Sequence, residues 1–571
     1  MWSREVDLLV FGSGVAGMTA AVVAANEGLQ VLLCEKTALI GGLTSTSGGA
    51  AWVVATTQSV RAGVPDTVAA GRKYLDGEVG DFGPRALREA FYASGSEAID
   101  YLERNTEVKY RVNNPYPDYH AEQQGGVMGG RTMAPLPFDG KLLGDDFALL
   151  RPPRPEFMVL GGMMVGRDEI KHLIRPWTSM TALKITTRLV FSYLRDRLSH
   201  PRGTRLLLGN ALCGRLLYSL RKTGADIAVS APLVELVREG GRIAGAVVSI
   251  NGKLVRVRAR HGVVLATGGC GASERWQQDL APEAAITHTL AFDGNSGDGL
   301  DAGVAVGGDI DRNHKSPFFW MPASVMPWSN GRVATYPHIR DRPKPGLIAV
   351  NSAGRRFVNE GNSYNDFVSA MYKSHADGVP SIPAWLVCDR RFVREYGIGV
   401  IHPVWQNLGY FERKGYLKSA PTLAALAQKI GVDVRGLEET VREHNHYAAT
   451  GVDEAFGKGS FALNRYNGDA ANKPNPCLAP IVKAPYYAVQ VYPAPIGSSA
   501  GLRTDGDGVV LDARGKPIDG LYACGNDMSS IMGGLYPGPG ITIGPAVVFA
   551  YRVAMHATRS RADATREAVP A

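Results

Sequence analysis

Three glycines and a glutamate near the start of the chain have the types and spacing needed to hold a nucleotide pyrophosphate. In Gly12-Ser13-Gly14-Val15-Ala16-Gly17, Gly12 permits a tight turn, Gly14 lets the backbone approach a pyrophosphate, and Gly17 allows close helix packing. The helix N-terminus that follows turns its N–H groups toward the phosphate charge. Glu35 is placed to accept hydrogen bonds from a ribose diol. The run Gly41-Gly42-Leu43-Thr44-Ser45-Thr46-Ser47-Gly48-Gly49-Ala50 supplies N–H and hydroxyl groups suited to the rest of a dinucleotide. A second glycine-rich turn, Tyr536-Pro537-Gly538-Pro539-Gly540, lies near the other end of the chain. Strand, turn and helix must position the first set. Val6-Asp7-Leu8-Leu9-Val10-Phe11 reads as an apolar strand breaking on Gly12, residues 17–25 as a small-residue helix, and Val31-Leu32-Leu33-Cys34 as a second strand ending at Glu35.

Two later runs repeat the pattern of a buried strand ending in glycines: Gly262-Val263-Val264-Leu265-Ala266-Thr267-Gly268-Gly269 and Asp519-Gly520-Leu521-Tyr522-Ala523-Cys524-Gly525-Asn526-Asp527. With the first motif they resemble the flavoprotein superfamily of fumarate reductase and succinate dehydrogenase, over nearly the whole chain. The resemblance implies an α/β fold in which a Rossmann-like FAD-binding domain is split in sequence by an inserted α+β catalytic domain. The implied parts are 1–283 and 485–571 for the cofactor and 284–484 for the substrate. It implies that Asn526 or Asp527 lies near the ribityl and pyrophosphate portion, and that Val234 offers backbone contacts to adenine. The implied cofactor set also takes in Lys36, Thr44, Ser45, Ser47, Gly48, Gly49, Ala266, Thr267, Gly268, Gly269, Asp298, Gly525, Gly540 and Ile541. No histidine lies in the 41–49 run where some relatives attach flavin, so the FAD is expected to be non-covalent.

Composition agrees. A chain of 571 residues exceeds one ordinary core, so two or three domains are expected. The 45% hydrophobic content, 68 glycines and 20% charged residues suit a globular α/β protein rich in tight turns. The six cysteines, Cys34, Cys213, Cys270, Cys388, Cys477 and Cys524, form no C-x-x-C pair, which speaks against bound metal and for a reducing, cytoplasmic compartment. Met1-Trp2-Ser3-Arg4-Glu5 runs straight into the first strand, leaving no signal peptide to expect, and no apolar stretch is long enough to cross a bilayer. A net charge of +8 without a basic and aromatic platform does not suggest nucleic acid as a partner.

The substrate end rests on three tyrosines. The segment Val350-Asn351-Ser352-Ala353-Gly354-Arg355-Arg356-Phe357-Val358-Asn359-Glu360 resembles the one leading to the catalytic arginine of fumarate reductases, but Tyr364 stands where that arginine is expected. A tyrosine carries no positive charge at neutral pH and cannot bind a dicarboxylate as an arginine does. The tyrosine version is similar to the 3-ketosteroid dehydrogenases of the superfamily. The turn Tyr536 to Gly540 resembles the oxyanion hole of their Δ1 members, and Pro117-Asp118-Tyr119-His120-Ala121-Glu122 the segment carrying their third tyrosine. The resemblance implies that Tyr364 abstracts a C2 proton, assisted by Tyr119 (or Tyr116), while the Tyr536 hydroxyl and Gly540 N–H stabilise the enolate. Hydride then leaves C1 for the flavin. Gly538, where the related Δ4-(5α)-dehydrogenases carry serine, favours Δ1. A 3-ketosteroid Δ4-(5α)-dehydrogenase, or another flavin-dependent ketone desaturase or ene-reductase, is the alternative, and a non-redox or RNA-modifying flavoprotein a more remote one. Phe318, Phe319 and Trp320 are candidate walls of the steroid slot. An external acceptor of quinone type is expected to reoxidise the flavin.

One segment stands apart. Residues 166–205 interleave Trp177, Met180, Leu183, Leu189, Val190, Phe191, Tyr193 and Leu194 with Lys171, Arg175, Lys184, Arg188, Arg195, Arg197, Arg202 and Arg205. That pattern suits a helix lying in an anionic membrane interface, which would make the protein peripheral on the inner face of the cell membrane. An amphipathic helix packed on its own protein or at a dimer contact is the other reading.

Overall fold

The computed structural model describes residues 1–284, 286–403 and 407–567. Arg4–Phe11 is buried from Val6 onward and pairs in parallel with Val31–Cys34 on one side and Lys253–Leu265 on the other. Strands covered on both faces can be continuously apolar, as this one nearly is. Asp226–Ala228 extends the sheet beyond Val31–Cys34, and Pro517–Ala523 pairs in parallel with the end of Lys253–Leu265. Arg242–Ile250 and Leu233–Glu239 add an antiparallel edge. The helix Val15–Asn26 is buried from Val15 to Ala24 because it is apolar all round, and it packs against the C-terminal helix Ile543–Glu567.

The second sheet is antiparallel throughout, in the order Val333–Pro337, Phe318–Pro327, Tyr486–Ser498, Ala384–Asp389, Leu347–Val350, with Leu417–Ala420 also pairing Tyr486–Ser498. All its strands fall between the two stretches that build the first sheet, so the cofactor domain is split in sequence. The chain passes back to the first sheet between Tyr486–Ser498 and Pro517–Ala523. Residues 568–571, at the end of the expected C-terminal part, lie outside the described residues. Phe319, Met321, Ala323 and Tyr364 of the insertion join the core of the cofactor domain, whereas Phe318, Trp320, Phe367 and Leu386 build the insertion's own core. The seam between the two cores is where the tyrosines meet.

Candidate active site

Backbone sterics shape the cofactor cradle. Gly12 leaves its strand at φ +101°, and a Cβ there would lie 2.1 Å from the Ala266 carbonyl oxygen; at Gly17 it would lie 1.8 Å from the Gly12 oxygen. Only glycine fits at either position. A Cβ at Gly14 would meet nothing nearer than Thr44 Oγ1 at 3.6 Å, and one at Gly42 nothing nearer than Gly14 at 3.9 Å. The first turn and the 41–49 loop thus leave a trough open at a helix N-terminus, which fits an anionic pyrophosphate.

Hydrogen bonds fix the trough's walls. Val15 N–H donates to Thr44 Oγ1 at 3.1 Å and Gly41 N–H to Ser13 Oγ at 3.0 Å. Glu35 is buried; one oxygen accepts from Ser13 N–H and Oγ–H (3.1 and 2.5 Å), the other from Thr37 N–H and Oγ1–H (2.9 Å each). Ser45 Oγ–H donates to the Arg151 carbonyl at 2.8 Å and Ser47 Oγ–H to that of Thr44 at 2.8 Å, while Gly49 N–H donates to Ser47 Oγ at 3.0 Å. Gly48 faces open space. Lys36 Nζ reaches Asp298 at 2.6 Å and Ser296 at 2.5 Å. Val234 is half exposed, at the register shift of the edge strand Leu233–Glu239.

The opposite wall joins distant parts of the chain. Asp527 accepts from Thr267 N–H, from Thr267 Oγ1–H at 3.0 Å and from Gly269 N–H at 2.8 Å, and burial pushes its carboxyl up to about 6. A Cβ at Gly268 would strike the Asn295 side chain, and one at Gly525 would lie 2.8 Å from Ala16 Cβ. The Asn526 carbonyl accepts from Ser498 Oγ–H at 3.1 Å. Phe319, Gly525, Asn526, Ile541, Thr542 and Ala546 line one cavity at the N-terminus of Ile543–Glu567.

Beside this cavity the three tyrosines converge. Ring centroids are 4.8 Å apart for Tyr364 and Tyr536, 5.6 Å for Tyr119 and Tyr364, and 5.8 Å for Tyr119 and Tyr536. The three phenols form one buried cluster, with Tyr364 packed edge-on against both of the others. Tyr116 stacks on Tyr466 at 4.5 Å between ring centroids and lies near Tyr119. Burial raises Tyr119 and Tyr364 well above an ordinary phenol and Tyr536 to about 12. Burial thus works against a phenolate at Tyr364, the form in which it can take up a proton.

Each tyrosine is held by its local structure. Tyr364 opens the helix Tyr364–Ala376, whose N-cap Ser363 accepts from Asp366 N–H at 3.1 Å. The Tyr536 turn is clamped through its carbonyls: Pro537 accepts from Tyr119 N–H at 2.8 Å and Tyr74 Oη–H at 2.7 Å, Pro539 from Thr132 Oγ1–H at 3.1 Å, and Gly540 from Trp52 N–H at 3.1 Å. Gly540 has φ +99°, and a Cβ there would lie 2.5 Å from the Ala50 carbonyl oxygen. Of the three expected slot aromatics, strand alternation turns Phe319 toward Tyr536, at 5.4 Å between rings, and sends Phe318 and Trp320 into the core behind.

Sequence reasoning gave no role to the residues that support these groups. Arg131 has a side chain 0% exposed and binds Asp66 at 2.9 Å and Asp118 at 2.7 Å, while Trp52 Nε1–H donates to Asp118 at 2.8 Å. This fixes the backbone immediately before Tyr119. Asp118 falls within the tyrosine segment of the sequence and Arg131 just beyond it, but their partners come from residues 52 and 66, which no spacing rule connects.

The fold and site define an FAD-dependent oxidoreductase: the chain belongs to the FAD binding domain family, which matches residues 7–543. It is 36% identical over 556 residues to a 4-oxocyclohex-2-ene-1-carboxylate 5-dehydrogenase from Sinomonas cyclohexanicum, covering 97% of this chain and 94% of that one. It is 34% identical over 573 residues to a 3-oxosteroid 1-dehydrogenase from Mycobacterium tuberculosis, covering 97% and 99%. The crystal structure of 3-ketosteroid delta1-dehydrogenase from Sterolibacterium denitrificans, in complex with 1,4-androstadiene-3,17-dione, superposes with a TM-score of 0.90 at 34% identity, covering 98% of this chain and 100% of that one.

Proposed function

We propose that the chain is an FAD-dependent 3-ketosteroid Δ1-dehydrogenase that introduces a C1–C2 double bond beside a 3-oxo group. The observation that carries this reading is the meeting of Tyr119, Tyr364 and Tyr536 against Phe319, which lines the cavity with Asn526 and Ile541. FAD, when bound, supplies the acceptor for the C1 hydride. The chain's own residues do the rest. As the phenolate, Tyr364 takes the C2 proton and becomes the phenol, with Tyr119 beside it. The Tyr536 hydroxyl and the Gly540 N–H hold the C3 oxygen as it becomes an enolate; one such donor in a dry site is worth about 3 kcal/mol. Gly12, Ser13, Gly14, Glu35, Thr44, Gly269 and Asp527 would hold the cofactor.

The Sinomonas relative favours a second reading, desaturation of a cyclohexanone carboxylate. Such a substrate needs a cation within one ring's length of the ketone. The cations near the tyrosines are otherwise occupied: Arg342 donates to the His338, Glu360 and Asn362 carbonyls, and His120 lies between two carboxylates. Phe319, Met321 and Ala323 share an apolar strand face, of which Phe319 lines the cavity. A steroid suits such a face better. Steady-state turnover of androst-4-ene-3,17-dione against 4-oxocyclohexanecarboxylate, with the products identified by NMR, tests the choice; efficient turnover of the carboxylate alone would reverse it.

We also propose that an anionic lipid surface is a partner. Among the described residues no helix is long and apolar enough to cross a membrane. Met180–Asp196 and its flanks nevertheless expose Trp177 (64%), Met180 (79%), Phe191 (69%) and Leu198 (87%), beside Lys184 and Arg188. Sedimentation with anionic and with neutral vesicles tests this; equal recovery in the supernatant with both would refute it.

A further inference from the structure

His120 follows Tyr119 directly, and Asp366 lies two residues after Tyr364. His120 Nε2 is 2.9 Å from Asp366 Oδ2, and Nδ1 is 2.6 Å from Oε2 of Glu78, on the helix Val68–Val79. The Glu78 side chain is 4% exposed and its other oxygen has no partner among the described residues. An imidazole that faces a carboxylate at each nitrogen donates from both, and so carries a charge. Burial works against that charge, but Asp366 and Glu78 overcome it and push the imidazole up to about 10. The His120 N–H also reaches Tyr74 Oη at 3.3 Å, and Tyr74 holds the Pro537 carbonyl of the Tyr536 turn. The bridge therefore touches all three elements that carry the catalytic tyrosines.

We propose that the Glu78–His120–Asp366 bridge is a positioning device for the base: it ties the Tyr119 segment to the Tyr364 helix, and its cation cancels the Asp366 charge that would oppose a negative Tyr364. The inference rests on Tyr364 being the base. Tyr364 faces the phenols of Tyr119 and Tyr536, with Tyr116 near Tyr119. Asp366 lies on its own helix, and His120 and Glu78 lie across from it. Arg342, within electrostatic reach of Asp341, Tyr119, Glu360 and Asp366, donates to the carbonyls of Glu360 and Asn362 just before Tyr364. Arg356 and Lys458 neutralise Glu360. The positive end of the Tyr364 helix favours a phenolate, and an uncompensated Asp366 in its first turn subtracts from that field. His120 removes the subtraction.

The sign follows. His120→Gln leaves Asp366 and Glu78 unneutralised, disfavours the phenolate, and moves the acid limb of the kcat/KM profile to higher pH. Asp366→Asn removes the opposing charge, leaves the His120–Glu78 pair with no net charge, and moves the limb to lower pH. One charge at roughly 10 Å in a protein interior displaces each limb by about one pH unit. The experiment measures kcat/KM against pH with androst-4-ene-3,17-dione for wild type, His120→Gln, Asp366→Asn and the double variant, with FAD content and Tm recorded. Opposite displacements in the single variants, and a double variant near wild type, support the proposal; a bridge that merely braced the fold would not shift the limbs in opposite directions. Limbs that stay put, or move the same way, with FAD content retained overturn it. If His120→Gln loses FAD, Asp366→Asn alone decides, and an unmoved limb overturns the proposal. Tyr364→Phe, run beside them, keeps the two failures apart: turnover in that variant sinks the base assignment itself.

Discussion

Tyr536→Phe isolates the anion cradle from the base. The ring is buried against Tyr364 at 4.8 Å, Phe319 at 5.4 Å and Tyr119 at 5.8 Å, so phenylalanine keeps every ring contact and removes one hydroxyl. The lost hydroxyl lies beside Tyr364 and Thr542. The change in stability should be about 1 kcal/mol, the net worth of one hydrogen bond. The change in rate should be larger, because the donor is preorganised in a dry site at the atom where charge develops. At about 3 kcal/mol, with each 1.36 kcal/mol a factor of ten, kcat falls roughly 150-fold. KM should change little, since the donor acts mainly in the transition state. The assay is anaerobic stopped-flow of flavin reduction by androst-4-ene-3,17-dione, with Tm by scanning calorimetry. A Tyr536→Phe variant that reduces its flavin within fivefold of wild type would refute the oxyanion role.

Three further outcomes are expected. Gly540→Ala places a Cβ 2.5 Å from the Ala50 carbonyl oxygen at φ +99°, so the turn must shift and the rate of flavin reduction should fall at least as far as in Tyr536→Phe; an unchanged rate would show that the Gly540 N–H is not used. Arg131→Met leaves Asp66 and Asp118 buried without their cation, which should cost about 3–5 kcal/mol and appear as a lower denaturant midpoint; a loss under 1 kcal/mol would contradict that reading. Asp527 has its carboxyl raised from 3.8 to about 6 by burial, so the stabilisation from its proton is complete below 3.8 and lost as pH rises through about 6. The stability of FAD-free wild type relative to Asp527→Asn should therefore decline between pH 4 and 6 and level off above; a flat difference in chemical denaturation would argue against it.

Much of the cofactor half was legible because glycine positions report backbone sterics directly. Gly12 and Gly17 are glycines for reasons visible as contacts of 2.1 and 1.8 Å, and the strand Val31–Cys34 ends where its apolar run ends. The tyrosine motifs were legible as motifs, although residues 119, 364 and 536 meet only in the fold. Legibility failed where tertiary pairing decides. Phe318, Phe319 and Trp320 are adjacent in sequence, yet a strand sends them to opposite faces, and nothing local says which face looks at Tyr536. Nor does anything local pair Arg131 with Asp66 or His120 with Glu78 and Asp366, because those partners are brought together by helix and loop packing. The exposed apolar face of Met180–Asp196 was readable from its periodicity; its exposure is what the structure adds.

If Tyr364 drives steroid desaturation at this site, oxidised wild type mixed anaerobically with androst-4-ene-3,17-dione loses its yellow colour and yields the 1,4-diene. Tyr364→Phe, treated alike, binds the steroid, keeps its FAD and stays yellow. A variant that bleaches at the wild-type rate, or a wild type that does not bleach at all, would contradict that role.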